Sequence, residues 1–450
     1  MTHLTRSRAP RLSLAARFDF VVRSLVLFLV GPIVLIYYLV RSWTRGAGWR
    51  DFAQRLGKIP PEFRQPSPGA FWIHAVSVGE AQAVAPLIPL LRQRFPGRRI
   101  FVSTTTETGQ SLAAQKLAAD GTFYFPLDYA FACRRALRAI QPALVLIAET
   151  EFWPRFLREA CRAGAAVAIV NGRISDRSFG RYHFWRRTMR PVLAHVDLFL
   201  MQTEEDARRV VTIGADSARV SVCGNLKYDV PLPANSPLAS WLEAVILRSA
   251  RRPVLVAGSV VAGEEPAVLE AFAALHAEYP CALLVFAPRR PERFEPAARL
   301  AAGAGFRVQT RSQLDFSAPL DAATNILLLD SIGELAGLYR LADLAFVGGS
   351  LVPSGGHNIL EPAAASVPVL FGPSMENFSE IALLVLAARI GLQVSDAKEL
   401  ARVCLDLLRD PVRRATMSRA ASDLMDRNRG AAVRTLDCIA ALLDEVQREP

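Results

Sequence analysis

From about residue 70 onward, short apolar runs alternate with longer stretches of helical periodicity, and the alternation stops once and restarts. In the first half the apolar runs are 71–76, 100–103, 144–148, 166–170 and 198–201. In the second they are 254–257, 283–287, 326–329, 344–347 and 367–371. Strand-length runs separated by helix-length stretches predict parallel sheets with helices on both faces. Between the halves, 229–237 carries Pro231, Pro233, Asn235 and Pro237, the composition of a connector. No internal repeat of roughly 20–50 residues relates one half to the other. The pattern therefore predicts an α/β chain of two Rossmann-like domains, at 51–230 and 251–450, joined by a linker at 231–250. A cleft between them would suit a bridged substrate. Within 81–95, Pro86 and Pro89 predict a kink or a restarted helix.

The first fifty residues follow a different pattern. Residues 24–40 are uncharged and rich in Leu, Val, Ile and Phe, with Tyr37 and Tyr38 near the end. Arg6, Arg8, Arg11, Arg17 and Arg23 precede the run, and Arg41, Trp43, Arg45 and Arg50 follow it. As a helix it reaches about 26 Å, the short edge of a bilayer span, and it lengthens to Phe18 if Arg23 snorkels. Arg41-Ser42-Trp43 lacks the small residues of a signal-cleavage site. Basic flanks on both sides leave the orientation open. A buried N-terminal helix is the alternative, but it would normally show a polar face, and none is present. Residues 1–50 are expected to form a membrane-anchor helix with basic flanks.

A length of 450 residues, 51% apolar and 21% charged, suffices for two full cores. A net charge of +11 points to an anionic partner. Without a Lys/Arg block interleaved with aromatics, a phospholipid surface or a phosphorylated substrate fits better than nucleic acid. Cys133, Cys161, Cys223, Cys281, Cys404 and Cys438 lie far apart, without a Cys-x-x-Cys pair or a His/Cys cluster. They read as reduced core residues of a cytoplasmic protein.

The candidate chemistry follows the strands. At 343–380 the run 344–347 breaks at Gly348 and Gly349 into a loop with Pro353, Gly355 and Gly356, and a helix is expected to open near His357. A second strand then ends at Gly372-Pro373, before Asn377. Glycine-bearing strand ends feeding a helix can hold a phosphate, and Glu361 suits ribose hydroxyls beside it. An ordinary βα loop would carry the same glycines, but the added cluster of Asn358, Glu361 and Asn377 favours a nucleotide. In His74-Ala75-Val76-Ser77-Val78-Gly79-Glu80 the strand is expected to end at Val78, with Gly79 as the turn and Glu80 opening a helix. The helix N-terminus would keep Glu80 ionised, as a base or as a plain dipole partner. Thr104, Thr105 and Thr106 read mainly as a helix cap. Glu149 and Glu151 follow 144–148, and at least one is expected to be functional. Asn171 and Arg173 could meet a phosphate or form a solvated turn. Lys227 could meet charge developing on a leaving group. Arg289 offers a planar fork to phosphate or a pyrimidine carbonyl, and Gly333 lets a base approach the backbone.

These residues, together with Glu149 to Pro154, Asn225 to Asp229, Ala287 to Phe294, Ile332 to Glu334 and 346–378, make the chain resemble the 3-deoxy-D-manno-octulosonate (Kdo) transferases of lipopolysaccharide biosynthesis. The resemblance spans most of the chain and implies the GT-B architecture, two Rossmann-like domains facing across a cleft. It implies inverting transfer from CMP-Kdo to a lipid A precursor at the cytoplasmic face of the inner membrane. Glu80 would be the base, and Glu149 and Lys227 would support the transition state. Pro288, Arg289, Ile332, Gly333, Glu334, Asn358, Ile359, Leu360 and Glu361 would hold the CMP part of the donor. Arg173 and Arg177 would touch the acceptor's phosphates. No metal or other cofactor is expected, since phosphate charge could be met by Lys227 and by amides after Gly349 and near His357. Ser354 and Arg290 depart from residues common in the family, which bears on donor affinity rather than on the base. A UDP-sugar glycosyltransferase with a lipid acceptor, or a non-catalytic membrane-tethered binding module, are the competing readings.

Overall fold

The computed structural model describes residues 49–229 and 236–448. The anchor expected within 1–50 lies outside them, but for the start of a helix at Trp49–Arg55. Among the described residues no helix is long and apolar enough to cross a membrane.

Two compact units divide the chain. The first comprises 49–229 and 430–448 of the described residues. Its sheet is built from β1 (Ala70–His74), β2 (Ile100–Thr104), β3 (Gly121–Tyr124), β4 (Pro142–Ala148), β5 (Ala166–Gly172), β6 (Leu198–Met201) and β7 (Val220–Val222). The strand order is β3-β2-β1-β4-β5-β6-β7, and every neighbouring pair is parallel. Because both faces of the sheet are covered, β1 is buried along its whole length, which is why it reads as a continuous apolar run. Successive side chains enter opposite cores. Trp72, Val145 and Ile147 face one, and Phe71, Ile73, Leu144 and Leu146 face the other.

That second core also receives Ile439, Leu442 and Leu443 from the helix Ala431–Arg448. At spacings of three and four residues these form one stripe, and burying each contributes roughly 1.5–3 kcal/mol. The end of the chain therefore belongs to the first unit, not to a C-terminal domain running from 251 to 450.

The second unit, 236–429 of the described residues, repeats the grammar. Its strands are β8 (Val254–Val260), β9 (Leu283–Pro288), β10 (Val308–Thr310), β11 (Ile326–Leu328), β12 (Leu344–Val347), β13 (Val369–Phe371) and β14 (Gly391–Gln393). Their order is β10-β11-β9-β8-β12-β13-β14, again wholly parallel. The expected linker at 231–250 is corrected here. Residues Pro237–Ser249 form a helix whose Leu238, Leu242, Val245 and Ile246 enter a core of this unit. Ser236 caps that helix, and Pro237 occupies its first position, where a missing N–H is tolerated.

In each sheet the chain order reverses beside the first strand, between β1 and β4 and between β8 and β12. Outside the carboxyl ends of such strands an open α/β sheet has its crevice. The helix after β1 restarts as expected, with Val78–Val84 and Leu87–Arg94 separated at Pro86. Pro89 falls in the first turn of the second segment and breaks nothing.

Candidate active site

In the first unit the candidate residues all follow the carboxyl ends of strands. Glu80 comes after β1, Glu149 and Glu151 after β4, Arg173 after β5 and Lys227 after β7. Glu80 is placed by a cap. Ser77 is the N-cap of Val78–Val84, so Gly79 is already helical rather than the turn, and Glu80 is the third helical residue. From that position the side chain folds back in the manner of a capping box. Glu80 Oε2 accepts the Val76 N–H at 2.8 Å, and Oε1 accepts the Ser77 hydroxyl at 3.1 Å. Each oxygen keeps a further lone pair for another proton donor.

The helix N-terminus does not dominate the electrostatics of Glu80, contrary to expectation. The side chain is 8% exposed. Burial, with the charges of Glu149 and Glu151 adding to it, pushes its pKa up to about 7, against the two hydrogen bonds that favour the ionised form. Glu151 is itself raised, by burial and then by Glu149, with Arg181 opposing. A carboxylate tuned to about 7 is a stronger base than an ordinary one and is still substantially ionised at neutral pH. His74, at the end of β1, cannot share the work. Burial drives it down to about 3, and its ring stacks on Phe125 at 3.7 Å.

Glu149 meets Lys227 in a half-buried ion pair, Oε1 to Nζ 3.1 Å. Glu149 and Asn171, at the ends of neighbouring strands, hold left-handed backbone at φ 54° and 53°. Each costs about 1–2 kcal/mol for a non-glycine residue, and strain of this kind clusters at functional sites. The side-chain oxygen of Asn171 accepts the Leu226 N–H at 2.9 Å, which ties it to the turn that carries Lys227, while its NH₂ is buried without a hydrogen-bond partner. Arg173 is half-buried just past β5, and its carbonyl accepts the Thr150 hydroxyl. Arg177 lies in the first turn of the helix Asp176–Phe184. Thr106 is a helix cap, accepting the Gly109 N–H at 3.1 Å.

In the second unit Pro288 ends β9 and Arg289 follows it, Ile332, Gly333 and Glu334 follow β11, and Asn358, Ile359, Leu360 and Glu361 follow β12. All therefore lie along one edge of one sheet. The loop after β12 is held by a residue the sequence did not single out. Glu264, fully buried, accepts the N–H groups of Gly349, Ser350 and Leu351 at 2.6, 2.8 and 2.7 Å and that of Val261 at 3.1 Å. The amides after Gly349 thus serve an internal carboxylate, which corrects their expected role toward phosphate. Gly355 and Gly356 are both left-handed, and a Cβ on Gly355 would lie 2.1 Å from the Asn377 side chain. Glycine is required there by backbone angle and by space.

The helix expected at His357 opens at Leu360, whose N–H the Asn358 side chain accepts at 3.1 Å. Glu361 lies in its first turn, close enough to Tyr339 to raise that phenol further beyond what burial does. Glu334 is gripped by the Arg311 guanidinium at 3.0 Å and by the Ser331 hydroxyl, beside an exposed Ile332. Among the described residues no group of three or more His, Cys, Asp or Glu is arranged to hold a metal ion. Cys281 is exposed rather than a core residue.

Comparison with known proteins shows the family. The family model described as 3-deoxy-D-manno-octulosonic-acid transferase (kdotransferase) matches residues 50–230. A 3-deoxy-D-manno-octulosonic acid transferase of Haemophilus influenzae is 35% identical over 93% of this chain and 97% of its own length. One from Bordetella pertussis is 34% identical over 91% of this chain and 96% of its own length. Among solved structures, the C-terminal CMP-Kdo binding domain of WaaA from Acinetobacter baumannii is 31% identical, covering 41% of this chain and 98% of that domain, with a TM-score of 0.37.

Proposed function

Since this chain belongs to the 3-deoxy-D-manno-octulosonic acid (Kdo) transferases, and is on that ground a glycosyltransferase, we propose that it moves Kdo from CMP-Kdo to a phosphorylated lipid A precursor by a single inverting displacement. The observation that carries the reading is the Glu80 carboxyl, buried and tuned to about 7, beside the Glu149–Lys227 pair. Glu80 takes the proton of the acceptor's primary hydroxyl as that oxygen attacks the anomeric carbon of Kdo. The bond to CMP breaks on the opposite face and CMP departs. Glu149 and Lys227 support the transition state, and the pair keeps the acid next to Glu80 partly neutralised. Pro288 at the end of β9, Arg289, and the named residues following β11 and β12 hold the CMP portion. No step calls on a metal or another cofactor.

An anionic inner-membrane surface is the proposed setting, with both units on its cytoplasmic side. Phe184 and Trp185 are exposed at 79% and 53%, and Arg181, Arg186, Arg187 and Arg190 beside them are exposed too. Exposed aromatics flanked by arginines over 181–190, a short run that did not stand out as a block in the sequence, suit a headgroup layer of negative charge and the phosphates of a lipid acceptor, to which Arg173 and Arg177 would add. The test is mass spectrometry of a lipid A precursor incubated in phosphatidylglycerol vesicles with the full chain and CMP-Kdo, and in parallel with a UDP-sugar. A mass gain of one or more Kdo residues with CMP-Kdo alone is expected. Transfer only from the UDP-sugar, or none, would refute the assignment of donor.

The pH dependence follows from the same carboxyl. Only its deprotonated form is a base, so kcat/KM should fall about tenfold per pH unit below about 7 and level off above it. Because the charge of Glu151 helps raise Glu80, Glu151→Gln should move this limb to lower pH. A profile flat down to pH 5, or a limb unmoved in Glu151→Gln, would contradict the tuning.

A further inference from the structure

Lys227 sits on a turn that the two distant ends of the first unit clamp together. The chain leaves this unit after Asp229 and re-enters it at Gly430. At that crossing the Asp229 carboxylate accepts the Gly430 N–H at 2.7 Å and the Ala432 N–H at 2.5 Å, ending the turn on the mouth of the helix Ala431–Arg448. Four residues before Lys227, the Cys223 carbonyl accepts Arg434 Nε at 2.9 Å, and Cys223 Sγ touches Cys438 Sγ at 4.0 Å. Between the two anchor points, Leu226 packs on Ala431 and Ala432, while its N–H is taken by the buried Asn171. Asn171 is fixed in turn by Gln202, whose Nε2 donates to its carbonyl at 3.0 Å. The final helix and the end of β5 thus hold the turn from two sides, while the Cys223 and Gly224 N–H groups are taken by the Met201 carbonyl at the end of β6.

We propose that Asp229 and Asn171 are positioning residues that act through Lys227, and that the C-terminal helix is in this way part of the catalytic apparatus of the first unit. A displaced turn would carry Nζ out of its 3.1 Å contact with Glu149. Glu149 would then stand unpaired beside Glu80, and the cation would be lost from the place where the reaction needs it. Misplacement by about 1 Å can cost a reaction about a hundredfold. The inference rests on the reading of Lys227 given above.

A double-mutant cycle in the full chain tests it, with single-turnover rates for Asp229→Ala, Lys227→Ala and the pair. Asp229→Ala is expected to lower the rate by roughly 10- to 100-fold with the KM for CMP-Kdo unchanged. In the Lys227→Ala background the same change should lower it by less than about twofold, because there is no longer a lysine to position. Asn171→Ser should show the same pattern. If Asp229→Ala does not fold, Asp229→Asn, which keeps one acceptor oxygen, is read in its place. Equal losses in both backgrounds would overturn the clamp while leaving Lys227 its role. A wild-type rate for Lys227→Ala would remove Lys227 from catalysis and the clamp with it, and neither result depends on the base, which Glu80→Gln tests separately.

Discussion

Glu80→Gln should lower kcat by about a thousandfold while leaving CMP binding at its wild-type strength. General-base catalysis contributes roughly 10²–10⁴ in rate, so a loss in the middle of that range, about 4 kcal/mol of barrier, is the expected size. The substitution keeps the shape of the side chain and one oxygen for Val76 N–H or Ser77, the two donors that now hold it. With its oxygen on the Val76 N–H its NH₂ can donate to the Ser77 hydroxyl, which accepts as well as donates, and the substitution relieves the burial of an acid whose ionised form burial disfavours. The fold of the first unit should survive. The second unit does not contain Glu80, so calorimetric titration with CMP should be unchanged. A variant with residual turnover near wild type would take Glu80 out of the mechanism. One that had lost both turnover and CMP binding would make it a structural residue.

Glu264→Ala should have the other large effect, on stability and donor binding together. Four backbone N–H groups, from Val261, Gly349, Ser350 and Leu351, end on this one carboxylate. Leaving a buried donor unsatisfied costs about 1–3 kcal/mol, and Gly349 and Ser350 are buried while Val261 and Leu351 are partly exposed, so the second unit should lose at least about 2 kcal/mol. Domains are stable by only about 5–15 kcal/mol, and the loop from Gly348 to Gly356 should therefore open well below the temperature at which the native unit melts. CMP binding should fail with it, because Asn358 to Glu361 follow directly from that loop. Glu264→Gln, which keeps one oxygen, should lie between the two. Thermal unfolding and CMP titration of the full chain check this. An Ala variant that melted and bound CMP like the native chain would mean that the loop holds its shape without Glu264.

Much of the fold was legible because central strands of parallel sheets are buried on both faces and must be continuously apolar. Strand β6 at 198–201 and strand β12 at 344–347 agree with their runs in the sequence, residue for residue. The strands that escaped notice are β3, β7, β10 and β14, which are the four edge strands of the two sheets. Each is short and only partly buried, as in Val308–Thr310, so its composition carries little signal. The end of the chain was misplaced for a different reason. Nothing local in 430–448 says which of two apolar cores its stripe will join.

Within the site, Glu80 and Glu149 stood out because they follow strand ends, which line the crevice of an open α/β sheet, whereas the part assigned to Lys227 came mainly from the family resemblance. The ion pair between Glu149 and Lys227 could not be read from positions separated by 78 residues. Glu264 was silent because an acid before a helix looks the same in sequence whether it faces water or four amides. The helix dipole was a poor guide to the charge on Glu80 for a related reason. Dipole and cap are local and visible in sequence, whereas the burial that outweighs them is set by how β1, β4 and the helix pack.

The anomeric configuration of the transferred sugar tests most directly whether Glu80 acts as a base in one displacement. With Glu80, Glu149 and Glu151 gathered at one edge of the sheet, a carboxylate could instead attack the sugar itself and be displaced in a second step. Nuclear magnetic resonance of the Kdo-lipid formed in a single turnover should show the configuration opposite to that in CMP-Kdo. Retention would contradict a general base and assign one of these carboxylates the part of nucleophile.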